Sequence, residues 1–218
     1  MKNLRLIFAI GMMAVSTAVF AQSDVERYNR FEVSYNHIRI DDDLSLMNIM
    51  DAYDKMNGFS GGYIHGFRLF ESSPLFFETG FRLSYAYGEN DLKDDEKKVG
   101  EEQIQTFAAV VLVNLAYQFS DNGDFSLTPF AGITIKGNIL AEYDAEIGGD
   151  KYHVDLFNSI DDEEDAGVSA RHFQFGWNCG LNVNYKNYSL GLTYSSDITR
   201  LAKNIKSYSY SVSVGYTF

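Results

Sequence analysis

Residues 207–218 read Ser-Tyr-Ser-Tyr-Ser-Val-Ser-Val-Gly-Tyr-Thr-Phe, and this stretch decides the fold. Successive side chains of a β-strand point to opposite faces, so every aromatic residue and valine lies on one face. The serines, Gly215 and Thr217 lie on the other face. One face suits lipid and the other suits a polar lumen, which predicts a transmembrane β-barrel strand.

The other end of the chain predicts export. It combines a basic start, an apolar run too short to span a bilayer, and a small-residue cleavage site: Lys2 and Arg5, Leu6 to Val15, and Val19-Phe20-Ala21. We therefore expect residues 1–21 to be a cleaved signal peptide and residues 22–218 to form one domain. The lone cysteine, Cys179, permits no internal disulfide.

Composition narrows the classes of function. The formal net charge of −12 argues against nucleic acid as a partner. Outside the signal, the longest purely apolar run is Phe107 to Val113, which is far shorter than a membrane helix, so any membrane crossing requires strands. The 15% aromatic content fits interface girdles.

Eight segments show the strand pattern, and the fourth is less clear because it is apolar on both faces. They lie near 30–40, 58–69, 75–87, 104–119, 125–140, 171–185, 189–196 and 206–218. Connections alternate between short turns and long loops, as in an up-and-down barrel, with the short turns facing the periplasm. The pattern thus predicts an all-β, antiparallel, eight-stranded transmembrane barrel with long extracellular loops. A ten-stranded barrel is the alternative. On the eight-stranded topology the aromatic residues form two girdles, with Phe31 near the periplasmic rim and Tyr63 near the outer rim.

The long connections at 41–57, 88–103 and 141–170 hold most of the 30 carboxylates. We expect a hairpin over Glu142 to Phe157 and a short helix over Leu44 to Met56. The acidic residues form either a solvated face or a divalent-cation bridge to lipopolysaccharide. No Asp-x-Asp-x-Asp-Gly motif names an individual metal ligand.

Several short motifs resemble the porin-like family of small outer-membrane β-barrel proteins of OmpA type. They are Pro129-Phe130-Ala131-Gly132, Phe175-Gly176-Trp177-Asn178-Cys179-Gly180, Leu190-Gly191-Leu192-Thr193-Tyr194-Ser195 and Gly215-Tyr216-Thr217-Phe218. The resemblance implies the outer membrane of a Gram-negative bacterium and insertion by the barrel-assembly machinery. The residues similar to the assembly signal of such proteins are Tyr210, Val212, Val214, Tyr216 and Phe218.

Charged residues on lumen-facing positions are the main candidate site. The alternation places five of them inward, where ion pairs would form a structural plug: Glu32, Arg68, Glu78, Arg82 and Lys136. An eight-stranded barrel has room for its own side chains only, which makes conduction the less favoured interpretation.

Catalysis has weak support in the sequence. Barrel enzymes need a base beside a nucleophile, and the four histidines show no such spacing. Were the chain a lipid-modifying enzyme, His172 would be the base and Ser195 or Ser196 the nucleophile. We expect no cofactor, no metal and no enzyme activity. The expected protein is a monomer in contact with outer-membrane lipid and lipopolysaccharide, with a role in envelope integrity or adhesion; a narrow or gated channel is the alternative.

Overall fold

The computed structural model describes residues 27–42, 55–70, 73–94, 97–121, 124–157, 172–199 and 205–218. Within these ranges the chain forms ten antiparallel strands, eight of which make up the barrel wall. They are β1 (Arg27–Asp42), β2 (Lys55–Arg68), β3 (Leu75–Asp94), β4 (Lys97–Tyr117), β5 (Phe119–Asp121), β6 (Phe125–Ile147), β7 (Asp150–Asp155), β8 (Phe173–Tyr185), β9 (Tyr188–Asp197) and β10 (Ile205–Thr217).

The sheet closes on itself between the first and last strands. β1 pairs with β10 from Arg30↔Thr217 to Asp42↔Ile205, and Asn29 and Phe218 exchange two further backbone hydrogen bonds. Each spanning strand also pairs with its neighbour in the sequence. The predicted eight-stranded up-and-down barrel is confirmed. The ten-stranded alternative is wrong, because β5 only continues β4 along β6, and β7 pairs with β6 alone.

The two faces of the wall differ as the alternation predicts. Along β10, Val214 is 61% exposed and Ser213 is 7% exposed. Along β1, Phe31, Val33 and Tyr35 are exposed on the lipid side, and the residues between them are buried in the lumen. Among the described residues, no helix is long and apolar enough to cross a bilayer.

The outer ends of the strands extend further than the sequence predicts. The segment 88–103, expected to be a loop, is largely a continuation of β3 and β4, which stay paired to Asp94↔Lys97. The expected hairpin over Glu142 to Phe157 is confirmed as β6 and β7, joined at Gly148 and Gly149, whose φ values of 63° and 97° suit glycine.

The first long connection is only partly described. The expected helix over Leu44 to Met56 lies mostly outside the described residues, and its last two residues, Lys55 and Met56, belong to β2 instead.

One aromatic placement needs correction. The predicted topology puts Phe31 at the periplasmic rim and Tyr63 at the outer rim. The two residues are paired across β1 and β2, and their ring centroids lie 5.3 Å apart. Tyr63 therefore belongs to the periplasmic girdle.

Two small apolar clusters lie near the two ends of a mostly polar lumen. Near the outer mouth, Met56, Ala86 and Ile104 are buried, with Tyr143 and Leu156 packed on them. Near the periplasmic end, Phe76, Ala116 and Phe130 are buried beside Tyr28. Ile104 and Ala116 of these clusters, together with the buried Ala108 and Leu112, make the inner face of β4 apolar, which made that strand ambiguous in the sequence.

Candidate functional site

A network of charged side chains crosses the lumen between β1 and β3. Glu32 accepts a hydrogen bond from Arg82 and lies 3.5 Å from Nε of Arg30. Arg30 Nη2 is 3.4 Å from Oε1 of Glu78. Signs alternate from Arg82 through Glu32 and Arg30 to Glu78, so each charge has an opposite neighbour.

Neutral donors complete the environment of Glu78, which is 1% exposed. Tyr28 donates its hydroxyl proton to Oε1, and Asn114 Nδ2 lies 3.3 Å from Oε2. A carboxylate removed from water in this way needs such partners. The network therefore joins β1, β3 and β4 through the interior.

A second cluster lies on the other side of the lumen. Lys136 on β6 donates to Oδ2 of Asp197 on β9 at 2.8 Å, and Gln174 on β8 donates to the same oxygen at 3.1 Å. Ser207 on β10 donates to it as well. One carboxylate thus connects four strands.

The structure brings together only some of the five predicted luminal residues. Glu32, Glu78 and Arg82 share the first network, and Lys136 lies in the second. Arg68 is on the periplasmic side, with its guanidinium carbon 5.4 Å from the ring centroid of Phe76. The contribution of these residues to function stays a prediction.

Arg30 and Asp197 belong to these networks but are not among the predicted luminal residues. Both have a signal in the sequence: Arg30 lies in phase with Glu32 on β1, and Asp197 lies in phase with Ser195 on β9. Each fell at or beyond the predicted end of its strand.

Two cavities flank the networks. A recess of about 240 Å³ at the periplasmic end is lined by Tyr28, Arg30, Ser126 and Asn184, among others. Towards the outer side, about 80 Å³ of space is bordered by Arg82 and Lys136 and by a group of serines. The polar linings suit water, and the buried networks lie between the two spaces.

The candidate catalytic residues do not form a constellation. The His172 ring stacks on Phe157 with a centroid distance of 4.4 Å. Ser195 borders the outer luminal cavity, whereas Ser196 alternates with it and is paired with Trp177 on β8. Among the described residues, no hydrogen bond joins His172 to either serine.

Beyond the outer rim, β3, β4, β6 and β7 form a projecting sheet with a strongly acidic outer face. Glu101 and Glu146 are paired across β4 and β6. On β7, Lys151 lies 3.6 Å from Glu146, and His153 Nδ1 lies 2.7 Å from Asp144. The hydrogen bond to Asp144 raises the pKa of His153 above its usual value. In the described part of the chain, no three side chains are grouped so that they could hold a metal ion.

The five residues that resemble an assembly signal lie on the lipid side of β10 and its end. All are exposed: Tyr210, Val212, Val214, Tyr216 and Phe218. The Phe218 ring stacks on Phe31, with centroids 5.6 Å apart. Recognition of this face during assembly stays a prediction.

The fold also occurs in solved outer-membrane proteins. Ail, the attachment invasion locus protein of Yersinia pestis, crystallised with the heparin analogue sucrose octasulfate, gives a TM-score of 0.51 at 12% identity, over 88% of this chain and 99% of that chain. Neisserial surface protein A gives 0.41 at 16% identity, over 87% and 97%. The outer membrane enzyme PagL gives 0.40 at 14% identity, over 84% and 97%. These likenesses concern the fold alone.

In a comparison with curated proteins, none matched the sequence. A model of the family described as outer membrane protein beta-barrel domain matches residues 7–218, which is nearly the whole chain. This chain therefore belongs to the outer membrane protein β-barrel domain family.

Proposed function

We propose that this protein is a non-catalytic barrel in the outer membrane of a Gram-negative bacterium, with a structural or surface-interaction role in envelope integrity or adhesion. After removal of residues 1–21, the barrel-assembly machinery would insert residues 22–218 as a monomer. Outer-membrane lipid and lipopolysaccharide would surround it.

The projecting sheet is the observation that carries this proposal. The pairing of β2 with β3 ends at Asn57↔Tyr87, but β3 and β4 stay paired as far as Asp94↔Lys97. The seven residue-to-residue steps from Tyr87 to Asp94 extend about 23 Å along the strand. A sheet held this far beyond the apolar band presents a preformed surface, which suits contact with other molecules.

The filled lumen supports the same proposal. The buried carboxylates of Glu32 and Glu78 have cationic or hydrogen-bonding partners in the interior. Such pairs are costly to break, which opposes a permanently open pore. A narrow or gated channel is the second candidate, favoured by the cavities on both sides of the network. A lipid-modifying enzyme comes third, because its candidate base and nucleophile are not joined.

Shortening the projecting sheet tests the proposal. Replacing residues 91–101 by Asn-Gly leaves Asn90 opposite Glu102, as in the native register, and closes the hairpin with a favourable two-residue turn. The variant should remain folded, as judged by heat-modifiable migration in electrophoresis. Cells carrying it should lose adhesion to coated surfaces or become more sensitive to detergent.

A charge-only variant separates shape from charge. Glu101→Gln removes a charge but keeps the length of the hairpin. If this variant retains function and the shortened variant does not, the role belongs to the sheet itself. Full function in cells with the shortened, folded barrel would contradict the proposal. Ion conductance in planar bilayers would favour the channel, and a change in lipid A mass on expression would favour the enzyme.

A further inference from the structure

The lipid-facing sides of β1 and β2 carry the same motif twice. Asn-x-Phe-x-x-x-Tyr-x-His occurs at residues 29–37 and again at 57–65. The register pairs Asn29 with His65 and His37 with Asn57. The two copies are therefore related by a local two-fold axis that passes through the paired residues Val33 and Gly61.

The two copies together form two matching clusters, and each cluster combines residues from both copies. In the outer cluster, the Tyr35 hydroxyl donates to Asn57 Oδ1 at 2.9 Å, and His37 Nδ1 lies 2.9 Å from the same oxygen. The Tyr35 and Phe59 rings pack at 5.5 Å. Because Asn57 Oδ1 accepts, Nδ1 of His37 carries the proton in this arrangement.

The inner cluster repeats these contacts with the strands exchanged. Tyr63 donates to Asn29 Oδ1, and His65 Nδ1 lies 2.8 Å from that oxygen. The Phe31 and Tyr63 rings pack at 5.3 Å. A single aromatic residue at a membrane interface does not need hydrogen-bonded Asn and His neighbours. The presence of this Tyr–Asn–His frame in two copies therefore requires its own explanation.

The spacing places the clusters at the two membrane interfaces. Asn29 and His37 are eight residues apart, which is about 27 Å along an extended strand. With the usual strand tilt, this is about 20 Å along the membrane normal, against an apolar band about 25 Å tall. Each cluster therefore lies where lipid headgroups meet acyl chains.

Cations adjoin both clusters, although the chain carries a net charge of −12. Arg39 lies two residues beyond His37 on the same face and is paired with Lys55. Arg27 lies two residues before Asn29. All three cations are exposed. Guanidinium and ammonium groups beside hydroxyl and imidazole groups suit the phosphate of a lipid headgroup.

We propose that the two clusters are binding sites for phosphate-bearing membrane lipids, one in each leaflet. The Tyr–Asn–His frame holds the rings at headgroup level, and Arg39 with Lys55, or Arg27, contacts the phosphate. The acyl chains lie along the apolar surface between the clusters. This inference goes beyond the proposed function and does not depend on what the projecting sheet contacts.

Native mass spectrometry of the full, folded chain in uncharged detergent tests the proposal. The probes are dimyristoyl phosphatidic acid and dimyristoylglycerol, which share acyl chains and differ by the phosphate. We expect two molecules of the phosphatidic acid to be retained in preference to the glycerolipid. Arg39→Gln/Lys55→Gln should weaken one site about tenfold and Arg27→Gln the other.

Two further sets of variants make the test specific: controls that remove a cation elsewhere, and substitutions that disrupt the Tyr–Asn–His frame. Lys151→Gln removes a cation from β7, and Lys186→Asn removes one from the periplasmic rim while suiting its φ of 53°; both should leave retention unchanged. Asn57→Leu and Asn29→Leu keep every charge and face lipid, yet each should weaken its own site at least threefold. Heat-modifiable migration confirms that each variant is folded.

Three outcomes with the lipid probes and the variants would overturn the inference, and a fourth comes from inorganic phosphate. The first three are equal retention of the two probes, equal loss in the Lys151→Gln control, and no effect of either asparagine substitution. Inorganic phosphate is the remaining arm: if it displaced the lipid at millimolar concentration, the site would bind free anions instead. No displacement, together with the expected losses, supports lipid sites.

Discussion

Substitution of Arg82 by alanine tests whether the luminal network stabilises the barrel. The Glu32 carboxylate, only 5% exposed, would lose the partner that donates to Oε1. Breaking a buried ion pair costs roughly 3–5 kcal/mol. Arg30 would remain 3.5 Å from the other carboxylate oxygen, so we expect a smaller loss of about 2–4 kcal/mol in the free energy of unfolding.

Urea unfolding in lipid vesicles provides the measurement. Trp177 is the single tryptophan and is 40% exposed on the lipid side, so its fluorescence reports whether the barrel is inserted. With a slope of about 1–3 kcal/mol per molar urea, the midpoint should fall by roughly 1 M or more.

Two further variants assign the effect to the charge pair. Arg82→Ala combined with Glu32→Gln removes the orphaned charge and should recover part of the loss, as a double-mutant cycle measures. Lys206→Ala removes an exposed cation from β10 and should change stability by no more than about 0.5 kcal/mol. An unchanged midpoint for Arg82→Ala would refute the reasoning, because Glu32 would then not depend on its partner.

Four other predictions address assembly, pH dependence, topology and cation binding. Deleting Phe218 should sharply reduce the heat-modifiable form in membranes, and normal insertion of the shortened chain would contradict an assembly role. The contact with Asp144 raises the pKa of His153, so it should stabilise the β6–β7 hairpin fully below pH about 6.5 and lose this effect as pH rises through the raised value; an NMR titration against Asp144→Asn, with amide exchange, measures it. Cys179 lies on the outward phase of β8 and should react in membranes with an apolar maleimide but not with a charged one. Limited proteolysis should cut the paired β3–β4 and β6–β7 extensions equally in millimolar Ca²⁺ and in Na⁺ of matched ionic strength; protection by Ca²⁺ alone would restore cation bridging.

The spanning strands could be predicted because lipid and lumen impose opposite polarities on alternate residues. This contrast ends at the membrane boundary. From Gly88 outward, the sequence of β3 reads Gly-Glu-Asn-Asp-Leu-Lys-Asp and no longer alternates between apolar and polar residues, although backbone pairing continues to Asp94. Where both faces of a strand end lie in water, its sequence need not alternate between apolar and polar residues.

The same alternation identified which charged residues face inward but not how they pair. Arg30 and Glu78 are 48 residues apart in the chain and meet because β1 and β3 both pair with β2. Asp197 lies one residue beyond the predicted end of β9. The duplicated motif at 29–37 and 57–65 is visible in the sequence, but its meaning depends on the register that brings Asn29 opposite His65.

One unpaired residue determines which side of the projecting sheet is acidic. β4 pairs Phe107 with Leu140 and Ala108 with Asn138, which leaves Ile139 as a bulge in β6. Before the bulge, even-numbered residues such as Asn138 face inward; after it, odd-numbered residues such as Ala145 are buried instead.

Without this shift, Glu142, Asp144 and Glu146 would face the interior, and Ala141 and Ala145 would face solvent. Burying three carboxylates without cations would cost far more than an irregular pair of backbone hydrogen bonds. The bulge therefore lets one strand serve two environments, with a polar lumen below and an acidic outer face above.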